Sequence, residues 1–150
     1  EALLGRVREA ERGGRTAAAP RSRLDASAAL RDAQQAGAAA VIVQPYPEAD
    51  ASALRALVDD LRAAGGRFVA VVTGAADGQP TLVVAASRDL ASEGFDAADV
   101  VRQVAPLIRG GGGGRADMAQ AGGSDPSGLD RALAEAARIA LDALHAIEAR

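Results

Sequence analysis

Around residue 39 the hydrophobic pattern of this chain changes period. Ala39 to Gln44 (AAVIVQ) is an unbroken apolar run ended by Pro45 and Pro47, which suits a strand buried on both faces. Just beyond it, Asp50 can cap a helix in which Leu54, Leu57, Val58 and Leu61 fall at i, i+3, i+4 and i+7, with Gly65 as its stop. A helix with a single apolar face that follows such a strand has to lie on a sheet. Phe68 to Thr73 and Thr81 to Ser87 supply two more β-rich runs, joined through a turn containing Asp77 and Gly78.

The remaining elements follow from the same rules. A helix starts near Asp96 and buries Val100, Val101, Val104, Leu107 and Ile108, with Pro106 loosening its last turn. After five glycines comes a short strand candidate, Ala116 to Ala121. A last helix is capped by Asp125, opens with Pro126, and carries Leu129, Leu133, Ala137, Ala140 and Leu144 along one side. Upstream, Leu3, Leu4, Val7 and Ala10 have helical spacing that stops at Gly13 and Gly14, an Arg- and Ala-rich stretch with Pro20 reads as linker, and another helix covers Ala26 to Gln35, closed by Gly37. The expected class is α/β: a mixed β-sheet flanked by helices, with a short N-terminal helical segment. Residues 1–37 form that segment and linker, and residues 38–150 form the globular domain.

Composition narrows what such a domain can do. Aromatic residues are 2% of the chain, so the core is built from Val, Leu, Ile and much Ala. A net charge of −3 argues against a surface that traps nucleic acid everywhere, and confines any RNA contact to a local patch. Every basic residue is Arg, whose fork can grip phosphate and stack on bases. With no cysteine and one histidine, His145, three convergent zinc ligands are not available, and no Ser or Thr stands beside an activating base. No cofactor is expected in the chain itself. The paired Asp59 and Asp60 diverge around a helix and read as solvated, and Ser87, Arg88 and Asp89 lack a base partner. No apolar run reaches the ~20 residues needed to span a bilayer, and a cytoplasmic protein fits. The first residue is Glu, which suggests a piece of a longer protein.

The stretch Arg109 to Gly123, RGGGGGRADMAQAGG, is the most informative. One reading is a flexible linker. A second is a nest, in which glycines allow positive φ and successive amides converge on an anion, with Arg109 and Arg115 adding charged forks. A third is that the glycines only permit close packing.

The run GGGGGRADMAQAGG resembles the glycine-rich signature near the end of bacterial alanyl-tRNA synthetases. LRALVDDLRAAGG at Leu54 to Gly66 and TLVVAASRDLASEGFDAADVVRQVAPLI at Thr81 to Ile108 fit the same family. The resemblance covers roughly residues 41–143, with Ala116 standing where Pro is commoner in the family. It implies a domain related to the one that accompanies the catalytic half of DHH-type phosphoesterases. In the synthetases that domain is non-catalytic: it contacts the outer corner of tRNA, links aminoacylation to editing and supports self-association. The implied partners are tRNA-Ala, the rest of the synthetase and a second copy, with no membrane. ATP, Mg and an editing-site zinc belong to the parent enzyme. The implied RNA contacts are Arg109, Gly110, Gly111, Gly112, Gly113, Gly114, Arg115, Asp117, Met118, Gln120, Gly122 and Gly123. Two alternatives stay open. One is a self-association module without RNA affinity. The other is the substrate-binding half of a DHH-type phosphoesterase, where a histidine usually follows the glycines and a small-residue pair precedes the closing glycine, unlike Arg115 and Gln120–Ala121 here.

Overall fold

A computed structural model describes residues 24–149. The first expected helix and the linker, within residues 1–23, lie outside the described residues. Helix α1 (Ala26–Arg31) is capped by Asp25, whose carboxylate accepts from the Ala28 amide at 3.1 Å. The helix expected to run to Gln35 ends at Arg31, because residues 34–36 have a stronger use. Gln34–Ala36 forms strand β1 and pairs antiparallel with the start of β2 (Ala39–Tyr46), through a turn in which Gly37 holds φ 63°. Thus α1 and β1 pack on the same sheet as the rest.

Strand β2 is buried at Ala39, Val41 and Ile42, but Val43 is 37% exposed and Gln44 and Pro45 are open to solvent. Burial on both faces was expected for the whole run, and only the first half has it. The strand also continues through Pro45. The Ala40 amide donates to the Arg67 carbonyl at 3.0 Å, so even-numbered amides face β3 and Pro45 turns its missing N–H to the outer edge.

Helix α2 (Ala51–Ala64) is the crossover that makes β2 and β3 (Phe68–Gly74) parallel. Its Asp50 cap accepts from the Ala53 amide at 2.9 Å, and Gly65 ends it at φ 82°. Strands β3 and β4 (Thr81–Ala86) form the expected hairpin, with Asp77 at φ 55° and Gly78 at φ 74° in its turn, and both are buried throughout. A short helix not expected from the sequence, α3 (Arg88–Ser92), follows β4. Helix α4 (Ala97–Val104) is capped by Asp96 through the Ala98 and Asp99 amides, and Pro106 tightens its continuation into a 3₁₀ turn over Ala105–Ile108. Strands β5 (Gly111–Gly114) and β6 (Met118–Gly122) precede a 3₁₀ turn at Pro126–Gly128 and helix α5 (Leu129–Glu148).

The six strands lie in the order β1-β2-β3-β4-β6-β5. Alternation along β3 and β4 divides the core in two. Val69, Val71, Leu82 and Val84 face α4 and α5, while Ala70, Val72, Val83 and Ala85 face α1 and α2. The inner stripe of α5 is Leu129, Ala132, Ala136, Ala140, Leu144 and Ile147. It lies one step from the expected Leu133 and Ala137, which sit half-buried at its margin. At one end of the sheet Arg67 donates to Asp89, Glu93 and Glu148 at 2.7, 2.9 and 2.8 Å, fastening α3 and the end of α5 to the start of β3.

Candidate functional site

The glycine run is an edge strand, which overturns both the linker and the nest. In a strand, successive amides point in opposite directions within the sheet, so they cannot converge on one anion. Gly111 pairs with Gly122, Gly112 with Ala121, Gly113 with Gln120 and Gly114 with Ala119. Of the run, only Gly114 has a φ in the left-handed range, 154°.

The two faces of this strand have different reasons for lacking side chains. A Cβ on Gly110 would run into the Gly122 carbonyl, and one on Gly112 into the Gln120 carbonyl, and one on Gly114 would sit 2.6 Å from the Met118 carbonyl. On this face, toward α4, close approach of backbones demands glycine. Gly111 and Gly113 face the other way, and a Cβ on either would meet nothing within 4 Å. Neither has a positive φ. Packing therefore does not require glycine at these two positions. A Cβ on Gly122, their neighbour on β6, would come no closer than 3.9 Å to the nearest atom, the Pro80 carbonyl oxygen. Gly123 is different: a Cβ there would strike the Ile108 carbonyl.

Gly111, Gly113, Gly122 and Gln120 thus form a nearly side-chain-free shelf on the α2 side of the sheet. Helix α2 walls it. The Arg55 guanidinium donates to Gln120 Oε1 at 2.9 Å, and Arg62, two turns later, donates to the Ala86 and Asp117 carbonyls at 3.0 Å each. Arg62 also stands over the Phe68 ring, 5.9 Å from its centre. Met118 packs toward the α2 core.

Charge brackets the shelf. Arg115 is at the tip of the β5–β6 hairpin, where its amide donates to the Met118 carbonyl at 2.8 Å. Arg109 precedes the other end, with φ 54° and its Nε 4.0 Å from Asp125. The Ser127 hydroxyl and amide, with Arg109, hold the Asp125 carboxyl below the usual carboxylate range. Asp117 points to protein partners: one oxygen lies 3.3 Å from Arg115 Nε, the other 3.9 Å from both Arg62 and Arg88. Arg55, Arg62 and Arg88 were not singled out as site residues. The i, i+7 spacing of the first two is the available signal, and in the sequence it reads only as the polar side of an amphipathic helix. Among the described residues no cluster of three or more His, Asp or Glu could hold a metal, and no helix is long and apolar enough to cross a membrane.

Comparison with known proteins places this geometry. The profile of the DHHA1 domain family matches residues 37–142, from the β1–β2 turn into α5. The chain belongs to the DHHA1 domain family. This DHHA1 domain is 37% identical over 134 residues to the alanine–tRNA ligase of Exiguobacterium sibiricum, covering 89% of this chain and 15% of that protein. It is 47% identical over 97 residues to the ligase of Anaeromyxobacter dehalogenans, covering 65% of this chain and 11% of that protein. The chain thus spans about one seventh or less of the length of these curated relatives. Among solved structures it resembles the C-Ala domain of the Aquifex aeolicus alanyl-tRNA synthetase, with TM-score 0.62 and 27% identity, covering 73% of this chain and 98% of that one. The α/β fold with a mixed sheet agrees with that of the C-Ala domain, and the resemblance read from the glycine run and its neighbours holds.

Proposed function

We propose that this DHHA1 domain is a non-catalytic, tRNA-contacting part of an alanine–tRNA ligase, and that the glycine shelf meets the outer corner of the tRNA. The observation that carries the reading is the bare face at Gly111 and Gly113, where the fold itself leaves room for side chains. A flat backbone surface can lie against stacked bases or ribose, with Arg109 and Arg115 at its ends to meet phosphate. The relatives are alanine–tRNA ligases, which supports tRNA-Ala and the rest of such an enzyme as partners. In this reading ATP, Mg and the editing zinc serve other parts of the ligase, in the cytoplasm. One histidine and no cysteine make an unsuitable donor set for zinc here.

The test is titration of the 150-residue chain into labelled tRNA-Ala and into a hairpin of equal length without the corner, at two salt concentrations. A Gly113→Val variant is run alongside. The wild-type chain is expected to prefer the cornered RNA and to weaken with salt, and the variant, whose Cβ meets open space, to lose the preference. Equal binding to both RNAs would overturn corner recognition. No binding to either, together with a stable dimer in solution, would replace it with self-association.

A further inference from the structure

We infer that Arg88 and Arg115, spanned by the Asp117 carboxylate, form a second contact that grips one phosphate of the RNA backbone. The inference rests on the tRNA reading above: it shares Arg115 with the end of the shelf and adds Arg88, which the shelf does not include. Three guanidinium groups surround Asp117, and they are not equivalent. Arg62 is 20% exposed and its two terminal nitrogens are committed to backbone carbonyls. Arg88 and Arg115 are 84% and 77% exposed, and each approaches Asp117 through Nε alone, at opposite carboxylate oxygens. Among the described residues no hydrogen bond or ion pair engages the terminal nitrogens of either.

That arrangement suits a phosphodiester. The carboxylate offsets the repulsion between two cations that would otherwise part, while the paired donors that bind phosphate bidentately stay open. A groove of about 550 Å³ opens beside Arg88 between the end of α2 and the start of α3, lined by Arg62, Arg88, Phe68 and Ser87 together with Asp59 and Asp89. Arg67, which reaches Asp89 at 2.7 Å, is shared with Glu93 and Glu148, so both groove carboxylates, Asp59 and Asp89, repel an anion and keep the phosphate at the Arg88 rim beside Asp117. Because Arg115 also ends the glycine strand, a strand lying on the shelf runs directly into this pair.

The test is the dependence of tRNA-Ala binding on salt for the 150-residue chain and four variants. Arg88→Ala and Arg115→Ala are each expected to weaken binding about tenfold. Each should also lower the slope of log affinity against log salt by about one. Arg102→Ala, which removes an exposed arginine of α4 on the opposite side of the sheet, should leave the slope unchanged. Asp117→Asn is expected to weaken binding although it makes the chain more positive, because the pair loses its anchor. An unchanged slope in Arg88→Ala overturns the inference, as does an equal fall in Arg102→Ala or tighter binding by Asp117→Asn. Loss of binding in Gly113→Val and a lowered slope in Arg115→Ala, with a wild-type slope in Arg88→Ala, would leave the shelf standing and remove this contact alone. A wild-type chain that binds no tRNA overturns both.

Discussion

Gly112 lies across from Ala121 at such close range that a Cβ built on the glycine would stand 2.6 Å from the Ala121 Cα. Its neighbour Gly113 faces the other side of the sheet, where a Cβ would meet nothing within 4 Å. Gly112→Ala should therefore destabilise the domain by about 1–3 kcal/mol, as overpacking does. Gly113→Ala should be neutral or stabilising by about 0.5 kcal/mol, through a less flexible unfolded chain. Urea denaturation of the two variants gives the comparison, and equal losses would contradict the two-faced description of β5.

The Arg55–Gln120 hydrogen bond crosses from α2 to β6 between residues 65 apart in sequence. A double-mutant cycle on Arg55→Ala and Gln120→Ala should return a coupling of about 1 kcal/mol, in line with a partly buried bond from a charged donor. Additive losses would mean that the bond does not hold the wall of the shelf to its floor.

Tyr46 is the single tyrosine, so the ultraviolet titration of phenolate reports it alone. Burial first, then the charges of Asp25 and Asp32, push its hydroxyl above the ordinary tyrosine value. The neutral phenol is the form the folded state prefers. Its contribution to stability is complete below the unfolded pKa and is lost as pH rises through the higher folded one. Asp32→Asn should move the titration back toward the ordinary value without reaching it, since burial remains. No movement would leave burial and Asp25 as the causes.

Asp50 holds the first turn of α2 through the Ala53 amide. Asp50→Ala should cost about 1 kcal/mol in thermal or chemical unfolding, and Asp50→Asn markedly less, because an Asn oxygen still caps.

Elements that announce themselves by period and punctuation were legible before any coordinates. The AAVIVQ run, the i, i+3, i+4 pattern from Leu54, the Asp50 cap and the helix start near Asp96 each act within a few residues of chain, while Asp125 caps the 3₁₀ turn ahead of the last helix and not the helix itself. What escaped depended on distant partners. Gln34–Ala36 has no strand character of its own and becomes β1 because β2 offers it an edge. The glycines lack every residue type that favours a strand, and β6 makes them one. On α5 the expected Leu129, Ala140 and Leu144 fall on the buried stripe, whereas Ala132 and Ala136 take the places expected of Leu133 and Ala137, because small residues on adjacent stripes look alike until a sheet selects among them. For the candidate site, the position of the glycine shelf and of Arg115 was readable, whereas its charged wall was not. Arg55, Arg62 and Arg88 converge only after α2 crosses over β3 and β4.

Pro45 has a consequence for the protein in concentrated solution. Strand β1 covers the outer edge of β2 only at Ala39–Val41, and beyond it Val43 stands exposed on a margin that no strand pairs with among the described residues. A bare margin with a β-branched apolar residue is where neighbouring molecules would add strand to strand and grow into aggregates. With proline two residues on, that margin lacks one of the donors such growth needs. Replacing Pro45 by Val would restore the donor, and light scattering should then show the otherwise dispersed domain beginning to self-template.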